Sequence, residues 1–397
     1  MCKLQKALYG LKQAPRCWNQ EIDSTMISLG YHKCTVDPCV YTKHGTIAGI
    51  TDTVLIIICI YVDDTVVAYN KAGATIWEED KAALAAKYHI KDLGDVDWIL
   101  NMKVVRDRSK RTVTLSQETY VNRILEKFNM VQCKPASVPG MQKDFTDPED
   151  GTDRIPVPID GEKHSLYRSL IGALLYAANT TRIDIAYTVG TLSRYLGAPC
   201  EHHIAAALHV LRYLAGTAKY SMQFGAPKEG ATTLKAFTDA DWAGDKNERR
   251  STTGAVILYQ GYPISWYTKL QPSIAKSTAE AEFIALARTT DEVMWYRDWL
   301  KEVLYLGTKL VPLVLCDNKA AIAIVKNGTT KAPSAKHIAI KYHFVATEVL
   351  SGTVVLDWCD TSNQLADILT KVLTKQLHQP LVSKLLHTNS VMGGSSV

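Results

Sequence analysis

The sequence contains no close Cys-x-x-Cys pair, and its nine cysteines are scattered from Cys2 to Cys359. Odd in number and wide in spacing, they exclude a zinc finger and argue against a disulfide scaffold. A reducing, intracellular compartment is expected. Long apolar runs are missing too. The longest, Val54 to Val62, has nine residues, whereas a membrane-spanning helix needs about 20. The opening MCKLQKALYGLKQ has no apolar signal-peptide core. Membrane and secreted proteins are therefore set aside. Neither sign of charge dominates: 45 Lys plus Arg stand against 40 Asp plus Glu, a net of +5. That balance permits a polyanionic partner without demanding one. With 47% hydrophobic and 21% charged residues, wholesale disorder is excluded. What is present is length. A chain of 397 residues exceeds one ordinary core and predicts two or three domains. The Lys-rich start reads as the interior of a longer sequence.

Trp18, Ile22, Met26 and Leu29 recur at helical spacing after Ala14-Pro15. Two β-branched runs, Thr53 to Val62 and Thr65 to Tyr69, are joined by Asp63-Asp64 as a hairpin. A helix is expected at 75–90, a hairpin at 96–116 and a helix over Gln117 to Phe128. Pro135, Pro139, Pro148, Pro156 and Pro158, among many Asp and Gly, mark 134–164 as a linker. Helices are predicted over Leu166 to Ala178, Ile183 to Leu196 and His202 to Ala215. After GAPKEG, strands at 234–240, 253–260 and 262–268 precede a helix at 277–303. A strand at 311–316, helices at 318–327 and 336–350, a strand at 353–359 and a helix at 363–370 complete an α/β order. The domains predicted are 1–133, 165–225 and 232–372, with 134–164 as linker and 373–397 as tail.

Four acidic residues stand out in the last domain. Asp239 closes the strand LKAFTDAD, Glu282 lies in STAEAEFIAL, Asp317 follows VPLVLC, and Asp367 lies on the last helix in NQLAD. Strand ends of open α/β sheets gather sites. Converging carboxylates repel unless a cation compensates them, and oxygen donors suit Mg²⁺. Two such ions about 4 Å apart can activate a water and stabilise the leaving oxygen of a phosphodiester. Singly, acidic residues after strands also serve as caps and turn residues.

FTDADWAGD, STAEAEFIAL, LCDNKAAI and NQLADILTK, in that order, resemble the ribonuclease H domain of copia-type retrotransposon Pol polyproteins. The resemblance implies Asp239, Glu282, Asp317 and Asp367 as catalytic, metal-binding carboxylates, with two Mg²⁺ or Mn²⁺ ions. It selects Glu282 over Glu280 and leaves Asp241 and Asp245 as loop residues. One departure is that VVLDWCDTSNQLAD holds no His between the last strand and the last helix. The proton donor is therefore unassigned. His337 and His343 belong to the copia-type pattern, and His337 is implied to touch nucleic acid. Ser277-Thr278, with Arg249, Arg250, Lys269 and Lys276 nearby, reads either as a phosphate-binding helix start or as an ordinary cap.

LQKALYGLKQAPRCW, YVDD, KDLGDVDWILNMKV and YRSLIGALLYAANTTRIDIAYTV are similar to the copia-type reverse transcriptase, so the resemblance covers residues 2–385 or so. It implies an α+β and α/β multidomain chain. A partial polymerase palm of antiparallel sheet and helices comes first, then a helical thumb, then a ribonuclease H-like mixed sheet with flanking helices. Tyr9, Gly10, Gln13 and Pro15 would pack under the templating pair, and Lys12 and Arg16 would meet phosphates. Within Tyr61-Val62-Asp63-Asp64, Asp63 would hold Mg²⁺ and Asp64 would support it. Trp98 to Lys103 would grip the primer. Asn101 stands where the family has Gly and tolerates a left-handed turn. Ile183 stands in place of the Pro of TRPD. The family's other palm Asp, on a strand before LYGLKQ, has no counterpart here. This chain alone is therefore expected not to polymerise DNA, and an unpaired strand edge is expected beside Thr53 to Val62.

The expected function is hydrolysis of RNA in RNA–DNA hybrids by a reverse transcriptase and ribonuclease H fragment. The alternatives are a nucleic-acid-binding remnant without turnover and an inert relic. Expected partners are an RNA–DNA hybrid, a primer–template duplex and the missing N-terminal part of Pol, with no membrane. The expected location is cytoplasmic, in a virus-like particle, or nuclear.

Overall fold

A computed structural model describes residues 7–8, 10–46, 53–140, 158–245, 248–306, 310–327 and 336–388, without the side chains of 327 and 336–342. The chain divides into two compact units, 1–96 with 295–310, and 97–294 with 311–397. No helix of the described residues is long and apolar enough to cross a membrane.

The first unit is built on an antiparallel sheet in the order β1 (His32–Lys33), β2 (Val40–Gly45), β3 (Val54–Tyr61), β4 (Asp64–Tyr69). One face of β3 presents Ile56 and Ile58 to helices α1 (Ala14–Ser28) and α2 (Ala74–Lys87). Ile22, Met26, Tyr41 and Leu84 complete that core. The pattern is the period-2 alternation of a strand meeting the three-and-four spacing of a helix. On the other face, Cys34 and Val40 pack against Val303, and Ile57 and Trp299 line the same cluster. Glu302 accepts hydrogen bonds from the backbone and hydroxyl of Thr35 at 2.7 and 2.9 Å. His44 stacks on Tyr305 with centroids 3.8 Å apart. Residues 295–310 thus belong to the first unit, although the sequence reading assigns them to the last domain. The expected open edge is also relocated. β3 is paired on both sides, with β2 and with β4. Among the described residues the edge strands are β1 and β4, because the 40–45 segment takes the other flank of β3.

The second unit carries two sheets. β5 (Trp98–Ile99), β6 (Met102–Asp107), β7 (Thr112–Ser116) and β8 (Ser221–Phe224) pair antiparallel in chain order. Leu100 and Asn101 turn β5 into β6 with φ of 46° and 58°. Asn101 takes the left-handed conformation expected of it. The five-stranded sheet has the order β11-β10-β9-β12-β13, from β9 (Leu234–Asp241), β10 (Thr252–Tyr259), β11 (Tyr262–Leu270), β12 (Leu313–Cys316) and β13 (Val355–Trp358). β9, β10 and β11 are antiparallel, whereas β12 runs parallel to both β9 and β13. This is the mixed sheet that the resemblance implies. Helices α3 (Glu118–Lys127), α4 (Gly161–Thr180), α5 (Ala186–Ser193) and α6 (Glu201–Gly216) share one continuous core with it, through Val121, Leu174, Val189, Leu211, Phe237 and Val256.

The linker's first residues lie along α6. Arg212 donates to the Lys134 carbonyl at 2.8 Å, and His209 meets the Val138 carbonyl at 3.1 Å. Residues 141–157 of the predicted linker lie outside the described residues, and its last residues, 161–164, are not linker but the first turn of α4. Two further sequence readings need correction here. The helix predicted at 363–370 is two short 3₁₀ turns, Thr361–Asn363 and Leu365–Leu369. The predicted tail instead contains a helix that α7 (Thr278–Val303), α8 (Lys319–Asn327) and α9 (Lys336–Leu350) precede. This helix, α10 (Lys375–Leu385), buries Leu381, Val382 and Leu385 in the common core.

Candidate functional site

Asp239 lies in β9, the central strand, and is 3% exposed. Three elements bring four partners to it. Small side chains make the first approach possible: Ala240 and Ala275 pack against Ala281 and Ala285, so the start of α7 lies close over β9. Glu282 is delivered there, 7% exposed, and its carboxylate accepts the Ala240 N–H. Glu280 does something else. It accepts the Lys276 N–H at 2.8 Å, while Ser277 accepts the Glu280 N–H at 3.2 Å. Ser277 thus caps the start of α7 through its hydroxyl, and Glu280 folds back on the residue before the cap. Asp317 comes second. Cys316 of β12 stands beside Thr238 of β9 in a parallel register, so Asp317 leaves the sheet at the same end as Asp239.

Asp367 comes third, on the 3₁₀ turn rather than on a helix. Buried Gln364 pins that turn by donating to the Thr238 carbonyl at 2.9 Å. Gly254 sits directly opposite Asp239 in the sheet. A Cβ on Gly254 would stand 2.6 Å from the Thr370 methyl and 2.8 Å from the Leu369 Cβ. Only glycine lets the turn close on the strand, where the Thr370 hydroxyl donates to Asp239. Gly254→Ala is therefore expected to cost about 1–3 kcal/mol, as overpacked cores do. Urea denaturation measures this, and an unchanged midpoint would contradict the packing account. The fourth partner is Lys371, whose Nζ lies 2.8 Å from Asp367 and 3.4 Å from Asp239. The sequence reading missed both Thr370 and Lys371. It also left Asp241 to a loop, whereas Asp241 ends β9. Burial raises its carboxyl, with Asp239 adding to the effect. Asp245 does lie in the loop, where it accepts the Glu248 N–H at 2.9 Å.

Crowded like charges leave an electrostatic record. Burial, then the charges of Asp239 and Asp317, push the Glu282 carboxyl up to about 9. Burial and Asp239 raise Asp367 to about 6, and the same two causes raise Asp317. Burial penalises the Lys371 ammonium, but Asp239 and Asp367 outweigh that and raise it. The Cys316 Sγ is 4.0 Å from Glu282, and burial raises its thiol well above the usual range. Its Sγ lies within 4.8 Å of the Glu282 and Asp317 carboxylates, and the other donors of the cluster are oxygens. Four carboxylates of this kind fit hard divalent cations, Mg²⁺ or Mn²⁺. The strand-to-turn segment after β13 supplies no imidazole. It supplies Thr361, which donates to Asp317 at 3.0 Å, and Trp358, which donates to the Asp317 carbonyl at 3.1 Å.

These shifts give a signed expectation. A carboxyl that keeps its proton in the fold stabilises the metal-free chain below its ordinary value, 4.5 for Glu282. That contribution is lost as pH rises towards about 9. Relative to Glu282→Gln, which has no proton to lose, the wild-type chain is expected to lose stability between pH 5 and pH 9 in EDTA. Thermal melts of both chains across that range measure the difference, and a constant difference would contradict the burial account.

The second acidic pair is in the first unit. Asp63 and Asp64 are exposed at the β3–β4 hairpin, where Tyr61 pairs with Asp64. Val62 has a φ of 58°, an unusual conformation for a β-branched residue. Trp18 of α1 holds it by donating to the Val62 carbonyl at 2.8 Å. Tyr61 is exposed beside it, and Gly10, Lys12, Gln13, Pro15 and Arg16 are exposed before and at the start of α1. Gly10 has a φ of 93°. Tyr9 and the side chain of His337 lie outside the described residues.

The chain is similar to several known proteins. Residues 1–142 match the family model "Reverse transcriptase (RNA-dependent DNA polymerase)". The chain is 39% identical over 399 residues to a retrovirus-related Pol polyprotein from transposon TNT 1-94 of Nicotiana tabacum. That alignment takes in 98% of this chain and 28% of the relative, so the chain spans about a quarter of that polyprotein's length. A putative transposon Ty5-1 protein of Saccharomyces cerevisiae is 32% identical over 296 residues, 73% of this chain and 89% of the relative. Among solved structures, LC11 RNase H1 in complex with an RNA/DNA hybrid aligns at 16% identity. It covers 34% of this chain and 93% of its own, with a TM-score of 0.27. From the relatives' identity and coverage, the chain belongs to the retrovirus-related Pol polyproteins of copia-type transposons.

Proposed function

We propose that the second unit is a divalent-metal ribonuclease that cuts the RNA strand of RNA–DNA hybrids. The observation that carries this reading is the convergence of Asp239, Glu282, Asp317 and Asp367, from four separate elements, at one end of a mixed sheet. Asp239, Glu282, Asp317 and Asp367 would hold Mg²⁺ or Mn²⁺. When bound, such ions supply an activated water and charge neutralisation for phosphodiester hydrolysis. The chain's own residues do the rest. Thr361 and Thr370 fix two of the carboxylates by hydrogen bonds, and Gln364 holds the turn that carries the last one. Recognition of the hybrid rests on shape, backbone and the RNA 2′-hydroxyls.

The purified chain is expected to cleave a labelled hybrid in Mg²⁺ and to leave the matching RNA duplex and DNA duplex intact. Equal cleavage of the RNA duplex would sink hybrid selectivity. We also propose that the first unit descends from a polymerase palm and that these 397 residues alone give no primer extension. Asp63 and Asp64 share one hairpin, whereas a two-metal transfer needs carboxylates from two strands.

A further inference from the structure

The ribonuclease reading treats the four carboxylates as one set, but the structure divides them. On one side, Asp239 and Asp367 share the Lys371 ammonium, at 3.4 and 2.8 Å. On the other side, the hydrogen-bond partners of Glu282 and Asp317 carry no charge. They are the Ala240 N–H, the Cys316 thiol and the Thr361 hydroxyl. Asp239 belongs to both sides. Any cation entering between Asp239 and Asp367 meets an ammonium already there. A cation entering between Asp239, Glu282 and Asp317 meets that ammonium only at its longer Asp239 contact, because Lys371 acts on Glu282 and Asp317 through its charge and not by an ion-pair contact.

Lys371 is held in place by the turn before it. Its backbone N–H donates to the Asp367 carbonyl at 3.3 Å, and Gln364 and Gly254 fix that turn against β9. The side chain itself is 36% exposed. Its flexible four-carbon stem can therefore swing towards solvent without rearranging the core.

We propose that Lys371 is a resident counter-cation that makes the two halves of the cluster unequal. A first divalent ion enters on the Asp239–Glu282–Asp317 side, and a second enters between Asp239 and Asp367 only as Lys371 withdraws. The proposal rests on the ribonuclease reading, because it assumes that the carboxylates bind metal. Lys371 is a positioning residue in this account. It sets the order and strength of ion binding and touches no substrate.

The test is a titration of the metal-free full chain with Mn²⁺ alone, counting free ion by its electron paramagnetic resonance signal. The wild-type chain is expected to bind one ion and then a weaker second. In Lys371→Met the second ion is expected to bind about tenfold more tightly, within the usual range of coupling between two bound species. Lys371→Arg restores the positive charge and is expected to bind the second ion as weakly as wild type. Lys319→Met is the control for a general charge effect, because Lys319 lies over the Trp358 ring at 4.4 Å and makes no ion pair with the carboxylates. Lys371→Gln replaces the Met variant if circular dichroism shows that the latter is unfolded. A second-ion affinity that is unchanged or weaker in the folded variant overturns the proposal and leaves the ribonuclease reading standing. An equal gain in Lys319→Met overturns it as well. A wild-type chain that binds no Mn²⁺ overturns the ribonuclease reading itself.

Discussion

Asp239→Asn is expected to lower hybrid cleavage by roughly a thousandfold or more, since metal-held charge contributes several kcal/mol to such transition states. Asp239 is the residue that the other charged groups sense. It raises Glu282, Asp317 and Asp367, and it holds Thr370 and Lys371. The amide keeps the shape and removes the charge. Crowding at Glu282 and Asp367 therefore relaxes, and both carboxyls fall back towards their ordinary range. Because a repulsion is removed, the metal-free variant is expected to melt no lower than wild type. This pairing of lost turnover with retained or improved stability separates a chemical role from a structural one. Cleavage rates in Mg²⁺ beside thermal melts in EDTA measure both. Loss of activity together with a lowered melting temperature would contradict the assignment.

The largest stability effect is expected elsewhere, at Asp184. Arg182 is fully buried and grips Asp184 with two bonds of 2.9 and 2.7 Å. Two more of its donors go to the carbonyl and hydroxyl of Thr217, at 3.1 and 2.6 Å. Tyr213 donates to Asp184 at 2.7 Å, and His378 of α10 meets the Asp184 carbonyl at 3.2 Å. The network ties the start of α5, the end of α6 and α10 into one knot. Burial works against both charges, and each is held ionised by the other. Asp184→Ala leaves a guanidinium without its partner inside the core, at a cost of about 3–5 kcal/mol. Replacing the pair together, as Arg182→Met with Asp184→Leu, is expected to recover much of that loss, because apolar residues of similar volume need no counter-charge. Urea denaturation of the two variants decides it. A double variant as unstable as the single one would mean that the network's hydrogen bonds, and not its charge balance, hold the knot.

How much of this was legible in the sequence depended on how distinctive each signal was. Asp239, Glu282 and Asp317 could be placed because each follows or faces a clear strand, and the choice of Glu282 over Glu280 agrees with burial of one and the other's bond to the Lys276 N–H. The turn around Asp367 was read as a helix because Leu365, Ile368 and Leu369 have spacings that a 3₁₀ turn shares. What separates the two is tertiary: the Gln364 side chain reaching Thr238. Lys371, Arg182 and Asp184 were passed over because charged residues are ordinarily solvated, and nothing local marks an exception. Pro380 interrupts the apolar pattern of α10, which made a packed helix look like a tail. In the first unit the hairpin was plain, but the partner on the far side of β3 was not. β2 precedes β3 directly in the chain, but its short, partly polar VYTKHG run carries no sign of which flank of β3 it takes. The nucleic-acid contacts of Gly10, Lys12, Gln13, Pro15 and Arg16 rest on resemblance and exposure, and they are proposals of the same standing as the cleavage reaction.

The account turns on whether the carboxylates are a working metal site. The most direct measurement is incubation of the purified, folded chain with a labelled RNA–DNA hybrid in Mg²⁺ or Mn²⁺, beside Glu282→Gln. The account predicts cleavage of the RNA strand by the wild-type chain and none by the variant. No cleavage with either metal, or equal cleavage by both chains, would contradict it.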